Sequence, residues 1–136
     1  MNENIERMLA ARTFAVVGAS TNPQKYGYIA YKTLKQFGKT VYPVNPRAHK
    51  IDGDGCYPTV TALPEVPDVV VIVVPPAITE KIIEELAHVG VQNVWMQPGA
   101  ESARAIALAQ QNGIVAVHSG PCIMVGLRTH NPRPTN

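Results

Sequence analysis

Two hydroxyls and an ammonium group stand close together in Gly18-Ala19-Ser20-Thr21 and Lys25, between an apolar run and Gly27. Glycine at position 18 allows a tight turn with close approach of the backbone to a ligand, and Gly27 lets a following helix pack close. Hydroxyls and a cation beside a helix N-terminus, where backbone N–H groups lack partners, suit a phosphate. The stretch departs from the dinucleotide pattern G-x-G-x-x-G, because its second and third glycine positions hold Ser20 and Pro23. A second apolar run ends in Val44-Asn45-Pro46-Arg47, with His49 and Lys50 behind it. In an NAD site an acid near that point grips the ribose 2′-hydroxyl. Cations stand there instead, and they suit an extra phosphate on the adenosine ribose, as in coenzyme A or NADP.

Two further strand ends carry candidate groups. In Val73-Val74-Pro75-Pro76 the prolines remove backbone donors and make a rigid apolar wall, able to border an adenine ring or a flat part of a ligand. The same pair also reads as a strand terminator followed by a helix start, its more ordinary role. In Gln97-Pro98-Gly99-Ala100-Glu101, Gly99 permits an unusual turn, and Glu101 is expected in the first turn of the next helix, where a carboxylate meets N–H groups.

These groups need a scaffold that brings them to one edge. Phe14–Val17, Val41–Val44, Val69–Val74, Asn93–Met96 and Ile114–Val117 are short Val- and Ile-rich runs with little polar alternation, as in strands buried on both faces. Between them lie helical spacings. Ala30, Leu34 and Phe37 precede Gly38; Ile78, Ile82, Leu86 and Val89 precede Gly90; Ala103, Ile106, Ala107 and Gln110 precede Asn112-Gly113. Ile5, Met8 and Leu9 predict a short amphipathic helix on the sheet edge. Arg47 to Pro67, rich in Gly, Pro and Asp, reads as irregular with one short helix near Val60–Leu63. The fold class is therefore α/β, a single Rossmann-like doubly wound parallel sheet of about five strands with helices on both faces. Such sheets bind ligands at the carboxyl ends of their strands, where strand order reverses. One domain over 1–136 is expected, with its core at about 9–125 and a loose tail over 128–136.

Composition narrows the function classes. A net charge of +2 over 136 residues, with no long Lys/Arg block, argues against nucleic acid. No apolar run approaches the ~20 residues that span a bilayer, and the start of the chain lacks the apolar core of a signal peptide. Two cysteines, Cys56 and Cys122, offer neither a pairing nor a metal-ligand spacing, as expected of a reducing, cytoplasmic setting. No G-x-S-x-G nucleophile elbow is present.

Taken in order, Gly18-Ala19-Ser20, Lys25-x-Gly27, Tyr42-Pro-Val-Asn-Pro46, Val73-Val-Pro-Pro76 and Trp95-x-Gln-Pro-Gly99 make the chain closely resemble the stand-alone CoA-binding domain family. That domain is similar to the N-terminal CoA-binding domain of the succinyl-CoA synthetase α subunit, and the resemblance runs from about Leu9 to Val125. It implies a Rossmann-like domain that binds coenzyme A or an acyl-CoA. Gly18, Ala19, Ser20 and Thr21 would contact the phosphates, with Lys25 nearby. Asn45, Pro46, Arg47 and Lys50 would lie near the 3′-phosphate. Pro75 and Pro76 would border the adenine or the pantetheine, and Gln97, Pro98 and Gly99 would close over the chain.

In the synthetase a second α-subunit domain carries a phosphorylated histidine, and His49, His88, His118 and His130 match no such loop. The resemblance therefore implies a non-catalytic binding module, for carriage, sensing or docking, acting as a homo-oligomer or with a partner enzyme. Two alternatives stand beside it: an NADP-dependent oxidoreductase, and the CoA-binding subunit of an acyl-CoA ligase that needs a second chain. Cys122 has two readings as well. A buried, inert cysteine is the commoner one; the other has it meet the CoA thiol and form a mixed disulfide.

Overall fold

In the computed structural model, which describes residues 3–130, five parallel strands form one sheet. They are β1 (Thr13–Val17), β2 (Thr40–Val44), β5 (Val69–Ile72), β6 (Asn93–Met96) and β7 (Val115–Val117). A two-stranded antiparallel hairpin, β3 (Lys50–Ile51) and β4 (Asp54–Gly55), stands apart from it. The helices are α1 (Glu3–Leu9), α2 (Tyr26–Gln36), α3 (Pro76–Val89), α4 (Ala103–Gln111) and α5 (Ile123–His130), with a 3-10 turn at Val60–Ala62.

Strand alternation divides the core in two. Phe14, Val16, Val69, Val71, Trp95 and Val117 face α1, α2 and α5 through Met8, Leu9, Ala30, Leu34, Ile123 and Leu127. Ala15, Val17, Val70, Ile72, Val94 and Met96 face α3 and α4 through Ile83, Leu86, Ala105 and Ala109. Both faces of the sheet are thus covered by helices, which is why these strands read as unbroken apolar runs. The strand order is β2-β1-β5-β6-β7. From β1 the chain steps outward to β2 and then crosses back over β1 to β5. Strand order therefore reverses between β1 and β5, where their carboxyl ends leave a crevice.

The opposite end of the sheet is closed by polar contacts. Asp68 accepts from the N–H groups of Arg12 and Thr13 at 3.2 Å each, and its own N–H donates to Thr13 Oγ1 at 2.9 Å. The Asn93 amide donates to the Asp68 carbonyl at 3.0 Å, and Arg7 Nη1 donates to Asn93 Oδ1 at 2.7 Å. Lys39 Nζ donates to the carbonyls of Leu9 and Ala11, both at 2.7 Å, and so closes the end of α1.

Three expectations need correction. The stretch after Arg47 contains a hairpin as well as the 3-10 turn, because Asp52 (φ 53°) and Gly53 (φ 85°) make a tight turn with two positive φ angles. The hairpin is tied to α2: Lys32 Nζ lies 2.5 Å from Asp52 Oδ2, and both Lys35 and the Tyr31 hydroxyl donate to Asp54. Glu101 precedes α4 rather than entering it. Ser102 caps that helix, its Oγ accepting from the Ala105 N–H at 3.0 Å, while Glu101 Oε1 accepts from the Gly99 N–H at 2.9 Å. The stretch expected to be loose from Arg128 is helical as far as His130, since Ile123 and Leu127 anchor α5 in the core. Positions 131–136 of that expected tail lie outside the described residues.

Candidate functional site

Glycine is required at two points of the β1–α2 turn. Gly18 holds φ at 97°, and a Cβ there would come within 2.6 Å of the Val73 carbonyl oxygen. A Cβ on Gly27 would lie 2.0 Å from the Gly18 carbonyl oxygen, so α2 begins pressed against the end of β1. Between them the loop is folded by its own side chains. Ser20 Oγ accepts from the Asn22 N–H and Asn22 Oδ1 from the Gln24 N–H, both at 3.0 Å. Lys25 occupies the N-cap position of α2 and makes no side-chain cap. No side-chain oxygen closes off the first turn, unlike that of α4, although the Tyr28 N–H reaches the Lys25 carbonyl at 3.1 Å.

Beyond β2, Asn45 ties two loops together. Its Nδ2 donates to the Ala19 carbonyl at 2.7 Å, its Oδ1 accepts from the Arg47 N–H at 2.8 Å, and its own N–H donates to the Tyr57 carbonyl at 2.9 Å. The result is a cavity of about 660 Å³ at the crevice between β1 and β5. Gly18, Ser20, Lys25 and Gly27 form one wall, Asn45 and Arg47 another, and Val73, Val74 and Pro75 the third. That volume suits a cofactor-sized ligand.

Charge is distributed unevenly around this cavity. Among the described residues the ion pairs are Lys32–Asp52, Lys35–Asp54 and Arg104–Glu80. Lys25 and Arg47, both on the cavity wall, belong to none of them. The hairpin acids thus neutralise the cations farther along α2, while Lys25 at its start and Arg47 after β2 face open space. Such an arrangement attracts a polyanion.

The other sequence candidates fall in several places. Pro75, Pro76, Pro98 and Gly99 line a shallower cavity of about 320 Å³ beside the first. Pro76 is also the first residue of α3, with Pro75 at its N-cap, as the helix-start reading expects. Gln97 and Cys122 line a smaller cavity of about 110 Å³ with Tyr26, Val73 and Pro98. The Gln97 side chain is 4% exposed; its Oε1 accepts from the Ile123 N–H at 2.8 Å and its Nε2 donates to Cys122 Sγ at 3.5 Å.

Ala19 contributes no side chain to the main cavity, because its methyl is fully buried in the core; only its carbonyl participates, through Asn45. Thr21, Pro46 and Lys50 are exposed and do not line that cavity. Cys56 lies behind Asn45, with its Sγ 3.7 Å from the Asn45 carbonyl, and burial pushes its thiol up.

Sequence reasoning missed Tyr26, which is 68% exposed and lines both the main and the smallest cavity. Its place between Lys25 and Gly27 at the start of a helix was the available signal. It also missed Gln24 on the main wall. Among the described residues no group of three or more His, Cys, Asp or Glu side chains could hold a metal ion, and no helix is long and apolar enough to cross a membrane.

A CoA-binding-domain family model matches residues 12–128. The chain is 33% identical over 123 residues to the ADP-forming acetate–CoA ligase I of Archaeoglobus fulgidus, a match covering 83% of this chain and 18% of that protein. It is 39% identical over 84 residues to the α subunit of the ADP-forming acetate–CoA ligase II of Pyrococcus furiosus, covering 61% of this chain and 18% of that subunit. This chain thus spans under a fifth of the length of these two curated relatives. A solved structure of a conserved hypothetical protein from Pyrococcus furiosus superposes with a TM-score of 0.80 at 43% identity, covering 84% of this chain and 97% of that one.

Proposed function

The chain belongs to the CoA-binding domain family, and on that premise we propose that it binds coenzyme A, free or acylated, across the carboxyl ends of its strands as a non-catalytic module. The observation that carries this reading is the cavity at the strand-order reversal. There a helix start without a side-chain cap and two cations that, among the described residues, form no ion pair, Lys25 and Arg47, face the same space. The pyrophosphate would rest against Gly18, Ser20 and the first turn of α2, where backbone N–H groups and the helix dipole favour negative charge. Arg47, joined to the phosphate loop through Asn45, would take the 3′-phosphate with a charge-assisted contact. Val73, Val74 and the prolines would border the apolar parts of the ligand.

A calorimetric titration of protein stripped of carried-over ligand with CoA, dephospho-CoA, NAD and NADP tests this. CoA should bind, and dephospho-CoA should bind about tenfold more weakly or worse through loss of one charge-assisted contact. NADP binding without CoA binding would overturn the proposal in favour of the oxidoreductase reading.

A second reading is supported by the relatives, one of which is an α subunit of a ligase. In it the same module supplies CoA to a partner chain that holds the catalytic groups. Affinity purification from native extract separates the two. A stoichiometric second chain that grasps a nucleotide favours the ligase reading, and a homo-oligomer alone favours the independent module.

A further inference from the structure

We propose that the small cavity beside Cys122 seats the thiol end of the ligand and confines it to free CoA or a short acyl thioester. This rests on the reading that CoA occupies the larger cavity. The two spaces adjoin, since Tyr26 and Val73 line both. The larger lies over the ends of β1 and β5; the smaller lies at the ends of β5 and β6, below the start of α5. Neighbouring strands are ~4.8 Å apart, so a pantetheine arm starting from phosphates at the first turn of α2 has about two strand spacings to cross. Its extended length covers that distance.

The far wall of the small cavity is fixed. Gln97 is held by the Ile123 N–H, and Trp95 Nε1 donates to the Pro121 carbonyl at 3.0 Å, which pins the backbone just before Cys122. Pro98 adds a residue of restricted φ. The space itself is about 110 Å³, smaller than the ~150 Å³ that admits a benzene. An acetyl group, with three heavy atoms, can be taken in beside the sulfur. An octanoyl chain cannot, and it must leave past Tyr26, which is 68% exposed, where it gains little burial. One polar group is placed for a thioester. Gln97 Nε2 carries two N–H donors and, among the described residues, donates only to Cys122 Sγ. The second N–H is available to a thioester carbonyl.

Competition binding of CoA, acetyl-CoA, octanoyl-CoA and adenosine 3′,5′-bisphosphate, the nucleotide half without the arm, tests the inference. CoA and acetyl-CoA should agree within about threefold, and octanoyl-CoA should bind about tenfold more weakly or worse. Cys122→Leu, which fills the cavity, should collapse the ratio of CoA affinity to bisphosphate affinity, while bisphosphate binding itself reports that the variant is folded. Octanoyl-CoA binding as tightly as acetyl-CoA would overturn this inference alone, as would an unchanged ratio in Cys122→Leu. Failure of CoA and bisphosphate to bind at all would overturn the reading of the larger cavity, and this inference with it.

Discussion

At the amino ends of the strands Asp68 accepts two backbone N–H groups, Asn93 links it to Arg7, and Lys39 closes the last carbonyls of α1. At the carboxyl ends Lys25 and Arg47 face a cavity and, among the described residues, have no carboxylate partner, above a helix start that no side chain caps. The amino end has a hollow too, of about 320 Å³, lined by Arg7, Asp68 and Asn93. The difference between the two ends is therefore not the presence of space. One set of polar groups is already engaged in closing the fold, and the other is left to meet something outside it. Lys25 and Arg47 are exposed, so neither needs a protein partner for the fold; the informative sign is that both line one cavity at the start of a helix.

Substitutions at the two ends should separate stability from binding. The largest effect is expected at Gly27, where fold and site share one atom contact. Gly27→Ala places a Cβ against the Gly18 carbonyl oxygen at 2.0 Å, and the backbone on both sides must shift. The loss of unfolding free energy should be about 3 kcal/mol or more, read by chemical denaturation, with CoA binding lost as well. Next comes Arg47→Ala, which should cost about 1.5–3 kcal/mol of CoA binding and leave the denaturation midpoint unchanged. The loss should be much smaller for dephospho-CoA. Lys50→Ala, at a position off the cavity wall, should have the weaker effect of the two cations. An equal loss for CoA and dephospho-CoA in Arg47→Ala would remove the 3′-phosphate from that residue.

The amino end should give the mirror image. Asp68→Ala should lower stability by about 1 kcal/mol, because solvent screens this exposed carboxylate, and CoA affinity should not move. Its pH dependence has a definite sign. The Thr13 backbone N–H and the neighbouring donors hold the Asp68 carboxyl below its usual value of 3.8. Its contribution is complete above that value and is lost as the pH falls through the lower folded value. Acid unfolding of the wild type and of Asp68→Ala should therefore converge at low pH.

The smallest effect concerns neither end. A hydrogen bond to Glu65 pushes the Tyr42 hydroxyl up to about 12. The folded protein thus keeps a proton that the unfolded chain releases near 10, so stability falls as the pH climbs between those values. A phenolate absorbance titration of wild type and of Tyr42→Phe should differ by the loss of a phase near 12 in the variant.

How much of this could be read beforehand depended on how local each signal was. The five strands were legible because each is a short Val- and Ile-rich run covered on both faces, and Gly90 ends α3 in the left-handed conformation that a C-cap requires. The hairpin was missed although Asp52-Gly53 is a recognised turn signal, because its strands are only two residues each and owe their place to Asp52 and Asp54 reaching Lys32 and Lys35 on α2. The helix after Cys122 was missed for a similar reason. It is short, and Gly126, where a Cβ would lie 3.3 Å from the Leu9 side chain, interrupts its pattern. Its start is capped by Gln97 from a distant strand end, a contact that no local pattern encodes.

Within the candidate site, the glycines and the cations were legible from type and spacing. The separation of Arg47 from Lys50 was not, since Lys50, in the short β3, does not line the cavity that Arg47 lines. Tyr26 had only its place between Lys25 and Gly27 to mark it. Its role as a wall between two cavities exists only once β5, β6 and α5 are assembled beside α2.

The most direct test of the contrast between the two ends is an amide chemical-shift titration of the assigned protein with CoA. Shifts concentrated at Gly18, Ser20, Lys25 to Gly27 and Asn45 to Arg47, with Arg12, Thr13, Asp68 and Asn93 unmoved, are the predicted result. Shifts centred on Arg7, Asp68 and Asn93, or none at saturating CoA, would contradict it.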